Sequence, residues 1–317
     1  MDGIQIVIRP LLEKDIAPAR RILRLAFGTF AGAPDPENSR TDVDFVEPRW
    51  HTDASAAFAA ELDGELVGSN FAVRWGSVGF FGPLTVRPDL WDRGIGRQLL
   101  HPAMECFEKW KITHAGLFTF AHSAKHIGLY QKFGFAARFL TAIMSKAVQP
   151  AAPSVAPLST YSRVPRGERN AVLHACYRLT DALYPGLNVE REIRAVHAQN
   201  LGDTVLVWND RELAGFAVCH CGPGTEAGDN KCYVKFGAVP QGSAAAEHFD
   251  QLLDACEALA FSRDLTGLDA GVNLARHEAY RHMLDRGFRT VHQGVAMHRP
   301  NEPAYSSPGT YVIDDWR

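Results

Sequence analysis

Apolar positions along the first 150 residues alternate between two periods, so strands and helices are interleaved. Ile4 to Ile8 reads as a short strand, and Ile16, Ala19, Ile22, Leu23 and Ala26 mark one face of a helix over about Asp15 to Phe27. Ala57 to Leu62 and Glu65 to Val73 form two runs around Asp63-Gly64, a strong hairpin turn. Phe80 to Val86 reads as another strand, closed by Arg87-Pro88-Asp89. Leu99, Leu100, Ala103, Met104 and Phe107 then make the apolar stripe of a helix opened by Gly94. Pro102 lies within it and predicts a kink facing solvent. Leu117 to Phe120 is a strand, Ala124 to Phe133 a helix, and Ala137 to Met144 a last strand.

The second half repeats this order. Glu212-Leu213-Ala214-Gly215 answers Glu65-Leu66-Val67-Gly68, 147 positions on. Val239, Leu252-Leu253 and Gly287-Phe288 answer Val86, Leu99-Leu100 and Gly134-Phe135, 153 positions on. The six-residue change falls near Cys221-Gly222-Pro223-Gly224, where lengthening a loop costs little. Between the halves, Pro150, Pro153 and Pro157 stand among small residues and predict a semi-rigid spacer over 149–157. Two copies of one α/β unit are expected, at 1–148 and 158–300, followed by a tail over 301–317 whose Tyr311 to Trp316 is apolar enough to dock on a domain surface.

Composition narrows the function. Thirty-three Lys and Arg against 36 Asp and Glu give a formal charge of −3, which lacks the basic field of a non-specific nucleic-acid binder. No stretch of 18 apolar residues appears, and the N-terminus lacks a basic, then apolar, leader; a soluble, cytoplasmic protein is expected. The six cysteines are scattered without a C-x-x-C and read as buried reduced thiols. Cys219 and Cys221 share a strand face as the one alternative, a chelating pair.

The junction from Leu84 to Arg97 carries the chemistry. Gly94-Ile95-Gly96 at a helix start lets the backbone approach a ligand, with unpaired N–H groups and the positive end of the helix dipole behind them. Such a site suits a pyrophosphate, and Arg93 and Arg97 add positive charge. A plain turn or helix cap is the competing reading of this spacing alone.

In its context the run Leu84 to Arg97 resembles the acyl-CoA loop of the GNAT superfamily of N-acetyltransferases, in which Gln/Arg-x-x-Gly-x-Gly/Ala follows a strand ending Val-x-Pro. Ser123 to Phe135, ending Leu129-Tyr130-Gln131-Lys132-Phe133-Gly134-Phe135, is similar to the family's later helix. The likeness covers most of residues 1–148. It departs at Trp91, where the family has Gln or Arg, at Ser123, where Asn is common, and at His126, where Ala is frequent.

The resemblance implies an α/β fold, with two tandem GNAT-like domains that each set a central mixed sheet between helices. It implies acetyl-CoA as cosubstrate, with no metal. The backbone of Leu84, Thr85 and Val86 would pair with the pantetheine arm, and the N–H groups of Arg93, Gly94, Ile95, Gly96 and Arg97 would hold the pyrophosphate. Tyr130 matches the tyrosine that gives a proton to the leaving thiolate in many relatives. Its structural alternative is a core tyrosine.

Relatives often keep a base on the strand before the loop, yet Ser77 to Val86 contains no carboxylate. His122 is the replacement, ahead of His114 and His126, and a hydrogen-bonded structural histidine is its alternative. Family members build the acceptor pocket from the region of residues 28–56, so Asp42, Asp44, Glu47 and Asp53 are candidates to bind a cationic amine or to form a solvated face. Trp50 and Trp75 either line that pocket or fill core.

The second copy reads as retired. Position 247 holds Glu where Gly94 lies, 249 holds Phe where Gly96 lies, and Met283 replaces Tyr130. The expected activity is transfer of a small acyl group to an amine of a small molecule by direct attack, without nucleic-acid or membrane partners and with homo-oligomerisation left open. The rival is a non-catalytic protein that binds CoA or senses a small ligand.

Overall fold

The computed structural model describes residues 5–148 and 158–317, and the expected spacer over 149–157 lies outside the described residues. The first half runs β1 (Ile6–Pro10), α1 (Ile16–Ala31), α2 (Glu47–Thr52), β2 (Ala57–Leu62), β3 (Glu65–Trp75), β4 (Val78–Phe81), β5 (Thr85–Val86), α3 (Ile95–Lys109), β6 (His114–Thr119), α4 (Ala124–Gln131) and β7 (Ala136–Ala147). The second half runs α5 (Arg169–Leu183), α6 (Glu190–Ala198), β8 (Gly202–Asn209), β9 (Glu212–Cys221), β10 (Lys231–Ala238), α7 (Ala245–Ser262), β11 (Gly267–Asn273), α8 (His277–Asp285) and β12 (Arg289–Arg299), with β13 (Val312–Ile313) in the tail.

All strands join one mixed sheet in the order β1-β2-β3-β4-β6-β12-β7-β11-β10-β9-β8, with β5 beside β3 and β13 beside β10. Only β4–β6 and β10–β11 pair in parallel. The order is nearly palindromic, and at its centre the halves exchange their last strands. β12 lies against β6, with Val295 opposite Thr119, and β7 lies against β11, with Ala142 opposite Val272. β7 and β12 also pair with each other, so the sheet is continuous across the middle.

Local sequence explains the hairpin and one departure. Asp63 and Gly64 both adopt positive φ (51° and 83°), the turn that matches the twist of β2 and β3. The expected strand from Phe80 to Val86 is instead broken into β4 and β5. Pro83 has no N–H, and Gly82 takes φ 137°, a conformation that side chains disfavour. Both pieces pair with β3, and Gly82 N donates to Phe71 O at 2.8 Å between them. The pairing of β4 with β6 ends at Phe80 opposite Gly116, and the two strands part beyond it. That opening is a consequence of the break. α3 runs on through Pro102 without interruption, its Leu99, Leu100, Ala103 and Phe107 buried as the apolar stripe requires.

α3 covers one face of the first half, with Phe81, Leu117 and Phe135 in its core, while α7 and α8 cover the same face of the second half through Phe249, Leu252, Met283 and Phe288. Between the halves lies a third core, in which Trp75 and Phe80 meet Phe216, Phe236, Tyr305 and Trp316. Full burial of each such ring contributes about 1.5–3 kcal/mol, so this seam is part of the fold. Trp75 therefore fills core, and its Nε1 donates to Glu192 Oε1 at 3.1 Å.

The tail, expected on a domain surface, runs through this seam. Trp316 packs where Gly116 of β6 has no side chain, and Asp315 where Gly271 of β11 has none. Arg276 holds the tail by donating to Val312 O at 2.7 Å and pairing with Asp314 at 2.6 Å. No helix among the described residues is long and apolar enough to cross a membrane.

Candidate functional site

After β5 the chain makes one tight turn at Pro88–Leu90 and reaches Gly94, which caps α3 with φ 78°. A Cβ at Gly94 would meet nothing within 4 Å, so the backbone conformation, not space, calls for glycine. The Gly94 carbonyl accepts from Gln98 N at 3.2 Å, which leaves the N–H groups of Ile95, Gly96 and Arg97 without a turn before them. These donors lie at the positive end of a 15-residue helix. Arg93 and Arg97 are exposed, and neither pairs with a carboxylate among the described residues. Trp91 turns inward and donates from Nε1 to Val86 O at 2.8 Å. Lys125 stands 5.5 Å above the Trp91 ring and pairs with Asp92 at 2.6 Å. From Arg97 a groove of about 430 Å³ runs along α3 past His101, Lys132 and Arg299.

The opening between β4–β5 and β6 lies beside this turn. Thr85 pairs with Ser69 of β3, and Arg87 N donates to Val67 O at 2.8 Å. By the alternation of an antiparallel ladder, the main-chain groups of Leu84 and the N–H of Val86 point the other way, into the opening, while Val86 O accepts from Trp91. Of the three residues expected to meet a pantetheine arm, Thr85 thus has its main chain committed to β3.

Tyr130 of α4 reaches across the same opening. Its ring lies 5.7 Å from that of Phe81 at the end of β4, and its hydroxyl faces Thr119 at the end of β6. Burial pushes the phenol up to about 12, so it keeps its proton at neutral pH.

Beyond the end of β6 the surface is aromatic. Phe30 of α1 packs on Phe120 with centroids 4.4 Å apart, and His122 stacks on Phe30 at 5.6 Å. His122 is exposed. His126 packs on the same two phenylalanines, and burial lowers its proton affinity. His292 of β12 lies against Phe118 and Phe120, with its proton affinity lowered by burial and then by Arg40 and Arg317. His114 is remote from this cluster in role: it is fully buried and shares a hydrogen bond with His298. His292 belongs to the second half and arrives through the strand exchange, a pairing that neither motif nor periodicity signals.

The four carboxylates proposed for a cationic amine are engaged within the protein. Asp44 and Glu47 both pair with Arg20, and Asp44 Oδ1 also accepts from Val46 N at 2.8 Å. Asp53 pairs with Arg191 of α6. Asp42 Oδ2 accepts from Asp229 N at 2.9 Å. Trp50 donates to Leu11 O at 2.9 Å and packs beneath α1.

Asp229 belongs to the inserted loop between β9 and β10, which crosses to the first half. Gly224 N donates to Asp42 O and Asp44 N to Thr225 O, both at 2.9 Å. Glu226 of this loop is fully buried, 2.8 Å from Arg49 and 2.9 Å from Lys235, and these cations hold its carboxyl well below the usual range. Arg49 in turn donates to Gly82 O and to the main-chain oxygen of Arg317, so it ties loop, tail and the β4 break together. The second half thereby shapes the side of the opening that faces away from α3.

In the second half the corresponding places are filled. α7 starts at Ala245, a turn earlier than α3 by the 153-residue spacing, so Glu247 lies in regular helix and Phe249 is buried beneath it. Met283 is wholly buried. The backbone at 237–239, equivalent to Leu84–Val86, is paired with the tail: Gly237 with Ile313, Ala238 with Val312, and Val239 N with Tyr311 O at 3.3 Å. Among the described residues, no group of three or more His, Cys, Asp or Glu is placed to hold a metal.

Residues 20–135 match the family model of the acetyltransferase (GNAT) family. No curated protein matches the chain significantly by sequence. A candidate acetyltransferase from Pyrococcus horikoshii resembles it over 100% of this chain and 96% of that one, with a TM-score of 0.68 and 16% identity. A GCN5-related N-acetyltransferase from Sphaerobacter thermophilus covers 93% of this chain and 95% of its own, at TM-score 0.58 and 14% identity. A tandem GNAT protein from the clavulanic acid biosynthesis pathway covers 93% and 98%, at TM-score 0.57 and 14% identity. At such identities the likeness is one of fold. With the open turn of α3, the parted strands and the duplicated sheet already in place, the match of residues 20–135 to the GNAT acetyltransferase family model is joined by a fold shared, over nearly the whole chain, with a tandem GNAT protein.

Proposed function

We propose that the first unit, residues 1–148, transfers an acetyl group from acetyl-CoA to the amine of a small molecule by direct attack, with the unit at 158–300 walling the acceptor side. The observation that carries this reading is Tyr130, a protonated phenol set between Phe81 and Thr119 at the opening whose far end is the open turn of α3. Acetyl-CoA supplies an acetyl group activated as a thioester. Ile95, Gly96 and Arg97 would hold its pyrophosphate through main-chain N–H groups, and Arg93 and the groove cations Lys132 and Arg299 favour its anionic end. Leu84 and the N–H of Val86 would pair with the extended arm.

Tyr130 holds its proton on Oη, where it can pass to sulfur as the thioester bond breaks. The amine must be neutral to attack. An alkyl ammonium with pKa near 10 is neutral about once in a thousand at pH 7, a burden of roughly 4 kcal/mol. His122, exposed on the Phe30 face, can accept that proton, and the aromatic surface disfavours the charged amine.

Calorimetric titration with acetyl-CoA should give one site per chain, and an amine panel should then release thiol. Two sites would contradict the retirement of the second copy; no binding would end the proposal. A second reading, a CoA binder without transfer, is favoured by the engagement of Asp42, Asp44, Glu47 and Asp53. Binding without thiol release from any amine would select it.

A further inference from the structure

Between β4 and β5 the ladder with β3 slips by one residue: Ala72 faces Phe81, but Ser69 faces Thr85 rather than Leu84. The slip starts at Gly82, whose N–H still donates to Phe71 O at 2.8 Å. In an unbroken antiparallel ladder such a pair exchanges both bonds, and Phe71 N would donate to Gly82 O. Here Phe71 N donates at 3.0 Å to Oδ1 of Asn70, whose amide in turn donates to Leu99 O of α3 at 3.1 Å. The freed Gly82 carbonyl accepts from Arg49. Arg49 is buried, and its other donors go to Glu226 Oε1 at 2.8 Å and to the main-chain oxygen of Arg317. One rigid guanidinium thus holds three separate segments. Glu226, also buried, accepts from Lys235 at 2.9 Å as well, so its carboxylate stays paired even without Arg49.

The slip decides which way Leu84 faces. In the register of β4, Leu84 would lie opposite Ser69 in a hydrogen-bonded pair, its main-chain groups spent on β3. One residue of slip puts Thr85 in that place and turns Leu84 to the opening. Resting on the transferase reading of this site, we infer that Arg49 is a positioning residue for the cofactor's extended arm: it holds the Gly82 carbonyl away from β3 and so keeps Leu84 facing the opening, while Glu226 of the second unit holds Arg49. Without the guanidinium, the buried carbonyl regains a partner by returning to Phe71 N, which restores the β4 register. The hydrogen bonds of Arg49 do not reach the first turn of α3, so the donors for the pyrophosphate are independent of it. The second unit is thereby part of the cofactor site as well as the wall of the acceptor side.

The test compares acetyl-CoA with 3′-phospho-ADP, which carries the phosphates of CoA and no arm, by calorimetry on the full chain. Where the fragment is too weak for direct titration, its affinity is read by displacement of acetyl-CoA. Arg49→Met should weaken acetyl-CoA by about 10- to 30-fold, the range of one or two main-chain hydrogen bonds, and the fragment by less than about twofold. Arg49→Lys, which keeps one charged donor for Gly82 O, should bring the loss to within about fivefold. Glu226→Gln keeps an acceptor for Arg49 without the charge; it should weaken acetyl-CoA about threefold, leave the fragment unchanged, and decide the matter if Arg49→Met does not fold. Unchanged acetyl-CoA affinity in the folded variants, an equal loss for the fragment, or a loss in Arg49→Lys as large as in Arg49→Met overturns the inference. A wild type that binds acetyl-CoA no more tightly than the fragment also overturns it. A wild type that binds neither would instead overturn the transferase reading.

Discussion

The two copies keep the same core and differ at the same site. Leu99 and Leu100 of α3 have counterparts in Leu252 and Leu253 of α7, all four buried, and Phe135 and Phe288 sit alike after their glycines. At the cradle the correspondence stops. α3 begins with a glycine in the left-handed region and a bare first turn; α7 has one more turn of helix in that place. The opening beside α3 has main-chain groups directed into it, whereas that beside α7 is closed by β13 of the chain's own tail. Packing constraints and ligand constraints therefore act on different residues, and one set can be lost while the other persists. The second copy also supplies β12 and the loop that fixes Asp42.

The largest effect should come from the tail that closes the second opening. Trp316 is buried in the seam against Gly116, His298 and Tyr305. Trp316→Ala should cost about 3–5 kcal/mol, read as a shift in a urea unfolding curve. A loss below about 1 kcal/mol would mean that the tail is an accessory, and that the second copy is closed by something weaker than folding.

Giving the first copy the second copy's residue comes next. Gly94→Glu places a side chain at φ 78° and a carboxylate among the donors for an anion. Acetyl-CoA binding should weaken by about 100- to 1,000-fold, about 3–4 kcal/mol, with unfolding stability lowered by only about 1–2 kcal/mol for the left-handed backbone. Calorimetry decides; undiminished affinity would place the cofactor elsewhere.

Tyr130→Phe removes one oxygen and keeps the ring against Phe81. Turnover on a good acceptor should fall about 100-fold, with acetyl-CoA affinity within about twofold. Equal turnover would leave Tyr130 as core, like Met283 in the other copy.

Much of this comparison was legible in residues. The duplication and Gly94 were readable because a repeated apolar pattern and a left-handed backbone conformation both write themselves into residue types. The strand exchange was not, because β7 and β12 carry equivalent patterns and either could lie beside β6; only tertiary packing chooses. Gly82-Pro83 was visible, yet a strand on both sides of it reads as one strand until its partner is known. Asp42, Asp44, Glu47 and Asp53 looked available because their partners, Arg20, Arg191 and Asp229, lie outside the segment or on the other half. The apolar tail announced burial without naming a place, since that place is two missing side chains, at Gly116 and Gly271.

The smallest effect tests the seam itself. His114 of β6 and His298 of the exchanged β12 meet with Nε2 and Nδ1 3.0 Å apart, and His298 Nδ1 also lies 3.0 Å from Glu302 O. Both imidazoles are buried, which lowers His114 to about 4 and His298, beside it, to about 3. Above pH 6.5 the pair is neutral in folded and unfolded chains alike and adds no pH dependence. Below 6.5 the unfolded chain takes up protons that the folded one refuses, so stability falls as pH drops towards about 4. The slope should be about 1.4 kcal/mol per pH unit for each imidazole. In urea unfolding between pH 7 and 4.5, His298→Gln should reduce that slope by about one proton's worth, and a slope equal to wild type would mean that the exchanged strands are not locked by this pair.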